Sequence, residues 1–153
     1  MTIKNLENLV IYFCGLFCNL FLKEVMELKN IKPNHKSGYL TTHVLDTARG
    51  CPAKGIEIAL FKFENDEKVF ITNSVTNGDG RLLKPILEGE SFVEGTYELV
   101  FNAGAYIEEH FKLDNKSVFL KEIPIRFLIS NREDHYHIPL LLSPFGFSSY
   151  RGS

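Results

Sequence analysis

Residues 39–63, YLTTHVLDTARGCPAKGIEIALFKF, contain two short apolar stretches separated by a segment rich in turn-forming residues. In the second stretch apolar and polar residues alternate, so that Ile56, Ile58 and Leu60 fall on one side. Alternation of this kind is typical of a half-buried β-strand. The intervening RGCPAKG (49–55), with its Gly and Pro, is typical of a turn. The stretch therefore predicts a strand–turn–strand unit.

The chain after residue 63 continues in the same way. Turn signals separate further apolar stretches, and NGDG at 77–80 is the strongest of them because Asn and Gly tolerate positive φ. One helix is predicted, at Ala103–Phe111. The further strand candidates are Val69–Val75, Phe92–Phe101, Ile123–Ile129, Tyr136–Leu142 and Phe145–Tyr150. Short strands at this spacing predict an all-β fold, a β-sandwich with one short helix.

The N-terminal region has a different composition. Leu9–Leu22 is an almost unbroken apolar run of 14 residues, shorter than the roughly 20 that a membrane-spanning helix needs. Its length suits a signal peptide, but no small-residue cleavage site follows it, and Met26 is an alternative start. We expect residues 1–37 to lie outside the core and 38–153 to form the domain. The expected compartment is the cytoplasm, with export as the alternative, and membrane contact only through an uncleaved leader.

Charge and cysteine content exclude several classes of protein. The net charge is −2 and no basic stripe accompanies it, so the chain lacks the phosphate-neutralising surface that nucleic-acid binding needs. The three cysteines, Cys14, Cys18 and Cys51, form no CxxC pair. This number and spacing favour free thiols over a disulfide framework or a zinc site.

Polar residues interrupt the strand pattern at a few positions. On the first strand His43 shares a face with Thr41 and Leu45. A strand histidine is more often structural than catalytic, and Arg81, directly after the NGDG turn, is by itself an exposed loop residue.

A second polar interruption lies in the segment HYHIPLLL (135–142), which places His135 and His137 on the face opposite its apolar core side. The spacing offers only weak support for a zinc site. Pro139 lacks an N–H, so it predicts a strand at a sheet edge or at a subunit contact.

The stretches that carry these residues resemble the transthyretin-like family. LTTHVLD (40–46) and RGCPA (49–53) are similar to its opening signature, and YHIPLLLSP (136–144) and YRGS (150–153) to its closing signature. FVEGTY (92–97) resembles the middle of transthyretin. The resemblance covers about residues 39–153, with the motifs in the family's order. It implies a two-sheet sandwich and a homotetramer, a dimer of dimers with active sites in the cleft between dimers.

The family contains a hormone carrier and a hydrolase of 5-hydroxyisourate, and the resemblance implies the hydrolase. The carrier lacks both motif histidines, whereas this chain has His43, Arg81, His137 and the YRGS ending. By resemblance these three residues and Ser153 are the catalytic group, with His43, Arg81 and Tyr150 contacting the substrate. No metal or organic cofactor is implied. A small-ligand carrier without catalysis is the alternative, and a membrane-tethered structural domain is a third hypothesis.

Overall fold

The computed structural model describes residues 37–152. The strands are β1 Tyr39–Asp46, β2 Cys51–Pro52, β3 Glu57–Glu64, β4 Glu67–Val75, β5 Leu87–Glu88, β6 Gly95–Asn102, β7 Glu122–Ile129, β8 His135–Ser143 and β9 Gly146–Ser149, and the helix α1 is Gly104–Phe111. The apolar run Leu9–Leu22, Cys14, Cys18, Met26 and Ser153 lie outside the described residues. Within residues 37–152, no helix has both the length and the apolar character needed to cross a membrane.

The strands form two sheets, as the resemblance implied. One sheet has the order β2-β1-β8-β9, with β5 also paired to β1, and we call it the site sheet. The other has the order β4-β3-β6-β7, and we call it the back sheet. Strand β1 is parallel to β8, whereas all other strand pairs are antiparallel.

Alternation along β1 separates a buried face from an outward face. Leu40, Thr42 and Val44 are buried, while Thr41 and His43 are only partly buried. The sequence predicted this division, and the structure confirms it. Strands β3, β7 and β8 alternate over much of their length, and five consecutive residues of β6 are buried. Together they close one apolar core, whose largest fully buried side chains are Tyr97, Phe92, Phe101, Leu40, Ile56, Ile58, Leu60, Leu99, Ile107, Ile123, Ile129 and Leu140. Burial of this apolar surface is the main force that holds the two sheets together.

The predicted edge position of the strand that contains Pro139 is wrong. Strand β8 lies between β1 and β9, inside the site sheet. Leu140 pairs with Ser149, and His137 pairs with Gly152. Both pairs belong to the same antiparallel register, and this register places Pro139 opposite Tyr150. The ladder is interrupted at this pair, where Pro139 has no N–H to donate. The sheet therefore accommodates the proline at a gap in one ladder rather than at its edge.

A buried carboxylate fixes the turn that follows β1. Asp46 is 1% exposed, and its Oδ1 accepts hydrogen bonds from the backbone N–H groups of Ala48 and Arg49 at 3.0 and 2.9 Å. Its Oδ2 accepts the Tyr106 hydroxyl at 2.9 Å. Burial and then the Asp46 carboxylate raise the pKa of Tyr106 to about 12. The contact connects the end of β1 to α1 through the core.

Candidate active site

The parallel pairing of β1 with β8 brings two distant histidines onto one outward face of the site sheet. In this register Thr41 is the partner of His137, and His43 is the partner of Pro139. Directly paired residues of neighbouring strands point to the same face. His43 and His137 are therefore diagonal neighbours on the face opposite the core.

The NGDG turn places Arg81 beside His43. The Asn77 side-chain oxygen accepts hydrogen bonds from the N–H groups of Asp79 and Arg81, at 2.9 and 3.1 Å. The Gly80 carbonyl then accepts the Val44 N–H at 2.9 Å, which attaches the turn to β1. As a result His43 and Arg81 form an isolated antiparallel bridge.

Glycine is required at position 80 for the turn to approach β1 this closely. Gly80 has φ +70°, a conformation that other L-residues adopt with strain. A Cβ there would lie 2.3 Å from the Val44 carbonyl oxygen and 3.1 Å from Cδ2 of the His43 ring. A side chain at this position would push the Arg81 segment away from the histidine.

The environment of His43 favours its neutral form. Burial lowers the pKa of His43, and the positive charge of Arg81 lowers it further, against an opposing hydrogen bond to the Asp79 backbone and the Asp79 charge. Within residues 37–152, its Nε2 is buried and has no hydrogen bond of normal geometry. Buried polar atoms are nearly always hydrogen-bonded in native proteins, and the exceptions include catalytic groups.

His137 lies within the same electrostatic group. Burial lowers its pKa, and electrostatic interactions with Arg81, His135 and His43 lower it further, in that order. Both histidines are therefore kept neutral near pH 7 next to a permanently charged guanidinium. Two neutral imidazoles and one fixed cation on a single face can accept a proton, return it and stabilise an oxyanion.

Thr41 connects this group to a further histidine, His135. The sequence did not predict this contact. Its Oγ1 lies 2.9 Å from Nδ1 of His137 and 2.7 Å from Nε2 of His135. The alternation had already placed Thr41 on the face of His43. The alternation could not identify the neighbouring strand, because the residue pattern of one strand does not indicate which strand pairs with it.

The C-terminal segment is held against β8. The Gly152 N–H donates to the His137 carbonyl at 2.8 Å. The Arg151 guanidinium lies over the Tyr136 ring, 4.4 Å from its centroid, and bonds to Asp134 at 3.2 Å. The register places Tyr150, which is 57% exposed, on the outward face. Gly152 thus lies beside the strand that carries His137.

The structure brings together three of the residues predicted from the sequence: His43, Arg81 and His137. Tyr150 shares their face, and Ser153 follows Gly152 beyond the described residues. Among residues 37–152, no group of three or more His, Cys, Asp or Glu side chains is placed to hold a metal ion.

Comparison with known proteins identifies close relatives. The family model described as HIUase/Transthyretin family matches residues 40–152. A protein of Rhizobium meliloti (strain 1021) named 5-hydroxyisourate hydrolase 2 is 52% identical over 77% of this chain and 98% of its own length. A 5-hydroxyisourate hydrolase of Pseudomonas aeruginosa is 48% identical over 76% of this chain and 92% of its own length.

Two solved structures are also similar. An (S)-allantoin synthase matches with a TM-score of 0.73 and 43% identity over 82% of this chain, which spans 47% of that longer protein. The 5-hydroxyisourate hydrolase of Klebsiella pneumoniae matches with a TM-score of 0.62 and 32% identity, over 76% of this chain and all of its own.

Proposed function

Because this chain belongs to the HIUase/Transthyretin family, we propose that it is a hydrolase that opens the ring of 5-hydroxyisourate in urate degradation. The product is 2-oxo-4-hydroxy-4-carboxy-5-ureidoimidazoline. The observation that carries this proposal is the cluster of His43, Arg81 and His137 on one outward face of the site sheet. The curated relatives that match over nearly their whole length are named for this activity.

The reaction breaks a cyclic amide-like C–N bond by adding water. A base removes a proton from water, the resulting hydroxide bonds to the carbonyl carbon, and the leaving nitrogen receives a proton as the C–N bond breaks. His43 and His137 share these two proton transfers. Imidazole suits both tasks because its unperturbed pKa of ~6.5 lies near working pH, and the lowered pKa values of the two rings keep a free lone pair available.

Arg81 stabilises the charge that develops on the substrate. Its guanidinium is charged at every relevant pH and presents its donors in a planar fork, which suits the carbonyl oxygens of a ureide ring. A donor aimed at a developing oxyanion lowers the barrier more than one that binds substrate and transition state equally. The bridge to His43 places this cation next to one of the two imidazoles that share the proton transfers.

Tyr150 and Ser153 complete the proposed site. Tyr150 contacts the substrate from the floor of the cleft, where its exposed ring shares the histidine face. The Ser153 hydroxyl positions water or substrate. Support for this role comes from the bridge between His137 and Gly152, the residue before Ser153.

The functional unit that we propose is a homotetramer, a dimer of dimers with the site sheets facing the cleft. Strands β7 and β9 are the last members of their sheets, and Phe147 and Tyr150 on and after β9 are 47% and 57% exposed. Unpaired strand edges and exposed aromatic rings favour subunit contacts. Light scattering on the purified protein measures the mass of the oligomer.

We further propose that the protein is located in the cytoplasm. Cell fractionation tests this location, and N-terminal sequencing of the native protein tests the alternative of export.

The activity is tested with freshly prepared 5-hydroxyisourate, whose ultraviolet absorbance decays as the ring opens. The protein should accelerate this decay well beyond the spontaneous rate. Calorimetry with small aromatic ligands is the parallel measurement. Ligand binding without any acceleration would favour the carrier alternative and overturn the hydrolase.

A further inference from the structure

A single hydroxyl group lies between two histidine rings at the candidate site. Thr41 Oγ1 is 2.7 Å from Nε2 of His135 and 2.9 Å from Nδ1 of His137. The parallel register of β1 and β8 makes this arrangement possible, since it pairs Thr41 with His137 and Tyr39 with His135. The rings of Tyr39 and His135 are stacked, with centroids 4.3 Å apart. The stack holds the His135 ring in place, and its Nε2 meets the hydroxyl.

A threonine hydroxyl has one proton, so it can donate to only one of the two rings. The ring that receives this proton must present a bare nitrogen, and the other ring must present an N–H to the threonine oxygen. The two histidines therefore have coupled tautomers. If Thr41 donates to His135, then His137 carries its proton on Nδ1 and its Nε2 is free to act as a base.

We propose that Thr41 and His135 are positioning residues that fix His137 in the Nδ1–H tautomer, with Nε2 directed to the substrate. The catalytic consequence rests on the proposed hydrolase function, whereas the tautomer itself does not. In the reaction the water O–H bond breaks, the proton goes to Nε2 of His137, and the hydroxide attacks the carbonyl carbon. The ring C–N bond then breaks, and the leaving nitrogen receives a proton from the histidine pair. The Nδ1–H bond to Thr41 is kept, and the His135 acceptor holds that hydroxyl in orientation.

The distances and the charges support donation from Nδ1–H of His137 to Thr41 and from the Thr41 hydroxyl to His135. With an oxygen acceptor, hydrogen bonds from O–H donors are shorter than those from N–H donors, about 2.7–2.8 Å against 2.9–3.0 Å, and we expect the same order for a hydroxyl that donates to a ring nitrogen. The shorter contact is to His135 and the longer to His137, which fits donation from Thr41 to His135. Burial, with Arg81, His135 and His43 facing the ring, lowers the pKa of His137. The ring is therefore neutral, and its tautomer has to be fixed.

Nitrogen-15 NMR of histidine-labelled protein measures the tautomer directly. The signals of His137 are assigned by comparison with the His137→Gln protein. In the wild type, Nδ1 should be the protonated nitrogen and Nε2 the bare one. A wild-type ring protonated on Nε2 would overturn the proposal.

Two variants test the His135 acceptor and the Thr41 hydroxyl separately. His135→Phe keeps a ring to stack on Tyr39 but removes the acceptor, so the Thr41 proton turns to His137 and drives that ring to the Nε2–H tautomer. Thr41→Val removes the hydroxyl and should give a mixture of tautomers, whereas Thr41→Ser should restore the wild-type spectrum. An unchanged His137 tautomer in both Thr41→Val and His135→Phe contradicts the proposal.

The kinetic consequence is a selective loss of kcat. Thr41→Val and His135→Phe should lower kcat about tenfold or more, part of what loss of the base itself costs, with KM little changed. Thr72→Val is the matched control, because this partly buried strand threonine lies on the back sheet and its hydroxyl donates to the carbonyl of the next residue, at 3.5 Å. An inactive wild-type protein with the expected tautomer would refute the proposed function and leave the positioning role intact. Full kcat in a Thr41→Val protein with scrambled tautomers would refute the role.

Discussion

His43 and Arg81 form an antiparallel bridge although the whole β3–β4 hairpin separates them in the chain. The NGDG turn after the hairpin returns the backbone to β1, and the Gly80 carbonyl accepts the Val44 N–H there. A fixed cation thus lies next to one imidazole and acts electrostatically on a second, that of His137. This relationship links the fold to the chemistry, and its removal should change both.

Arg81→Gln removes the cation and keeps a polar side chain. Because its positive charge disfavours the imidazolium form, its loss should raise the pKa of both His43 and His137 towards ~6.5. The pKa values should not pass that point, since burial is the larger cause of each shift. Turnover should fall about 10²-fold or more with loss of oxyanion stabilisation.

NMR titration of the histidine ring protons checks the pKa changes. Lys116→Gln is the control, since it removes the same charge from a residue that is not among the groups that shift either histidine. Unaltered histidine titrations in Arg81→Gln would mean that the guanidinium does not lie near the rings.

The pH profile of hydrolysis should extend further into acid than an ordinary histidine permits. Burial first and Arg81 second lower the pKa of both histidines, so both remain neutral bases at pH values somewhat below ~6.5. We expect kcat/KM, which reports the free enzyme, to stay level down to that range and then to fall. A profile that already declines above the ordinary histidine pKa speaks against the shared-base mechanism.

The same shifts predict how stability varies with pH. Each histidine has a lower pKa in the folded than in the unfolded chain, so the unfolded chain binds more protons. The free energy of unfolding should therefore decrease as pH falls below ~6.5, and this contribution stops changing below the folded pKa values. Denaturant titrations of the wild type and His137→Gln test this, and the variant should lose less stability across the window. If the free energy of unfolding depended on pH equally in the two proteins, the lowered pKa of His137 would be contradicted.

Gly152→Ala tests the approach of the C-terminal segment to His137. A Cβ at this position would lie 2.7 Å from Cδ2 and 3.2 Å from Cβ of His137, so either the ring or the segment must move. We expect a loss of kcat with a small change in melting temperature, since the segment contributes little to the core. Gly146→Ala is the matched control, because its Cβ would be 3.6 Å from the Ser143 hydroxyl, an ordinary contact. Equal activity in the two variants would remove the C-terminal segment from the site.

Tyr106→Phe tests the buried contact between the end of β1 and α1. The variant leaves Oδ2 of the buried Asp46 without its hydroxyl donor at 2.9 Å. A buried acceptor that loses its partner costs about 1–3 kcal/mol of stability. Chemical denaturation measures this loss, and Tyr39→Phe, at a 40% exposed residue, should cost under about 0.5 kcal/mol. A loss for Tyr106→Phe no larger than that of the control would show that the contact adds nothing to stability.

The sequence predicted each element that has its own periodicity. Residues 39–46 and 123–129 alternate, and the structure has strands β1 and β7 there. The helix expected over 103–111 is Gly104–Phe111. The two-residue strands β2 and β5 were not predicted, because two residues contain no period.

What periodicity lacks is the identity of a strand's neighbours. The parallel pairing of β1 with β8 depends on packing across the whole core, so the contacts of Thr41 with both histidines could not be derived from the sequence. For the same reason Pro139 predicted a strand at the edge of a sheet, although β8 lies inside the site sheet and Pro139 occupies a gap in the β8–β9 ladder. Histidine and arginine were selected through motif resemblance, whereas the close approaches that require Gly80 and Gly152 were visible only in the structure.

The measurement that tests the central claim most directly is the rate of 5-hydroxyisourate decay with the wild type, His43→Ala, His137→Ala and the double variant at equal concentration. Each single substitution should lower turnover about 10²-fold or more. The double variant should be close to the slower single one, because groups that act as a unit are strongly non-additive. Wild-type turnover in either single variant, or no acceleration by the wild type, would contradict the account.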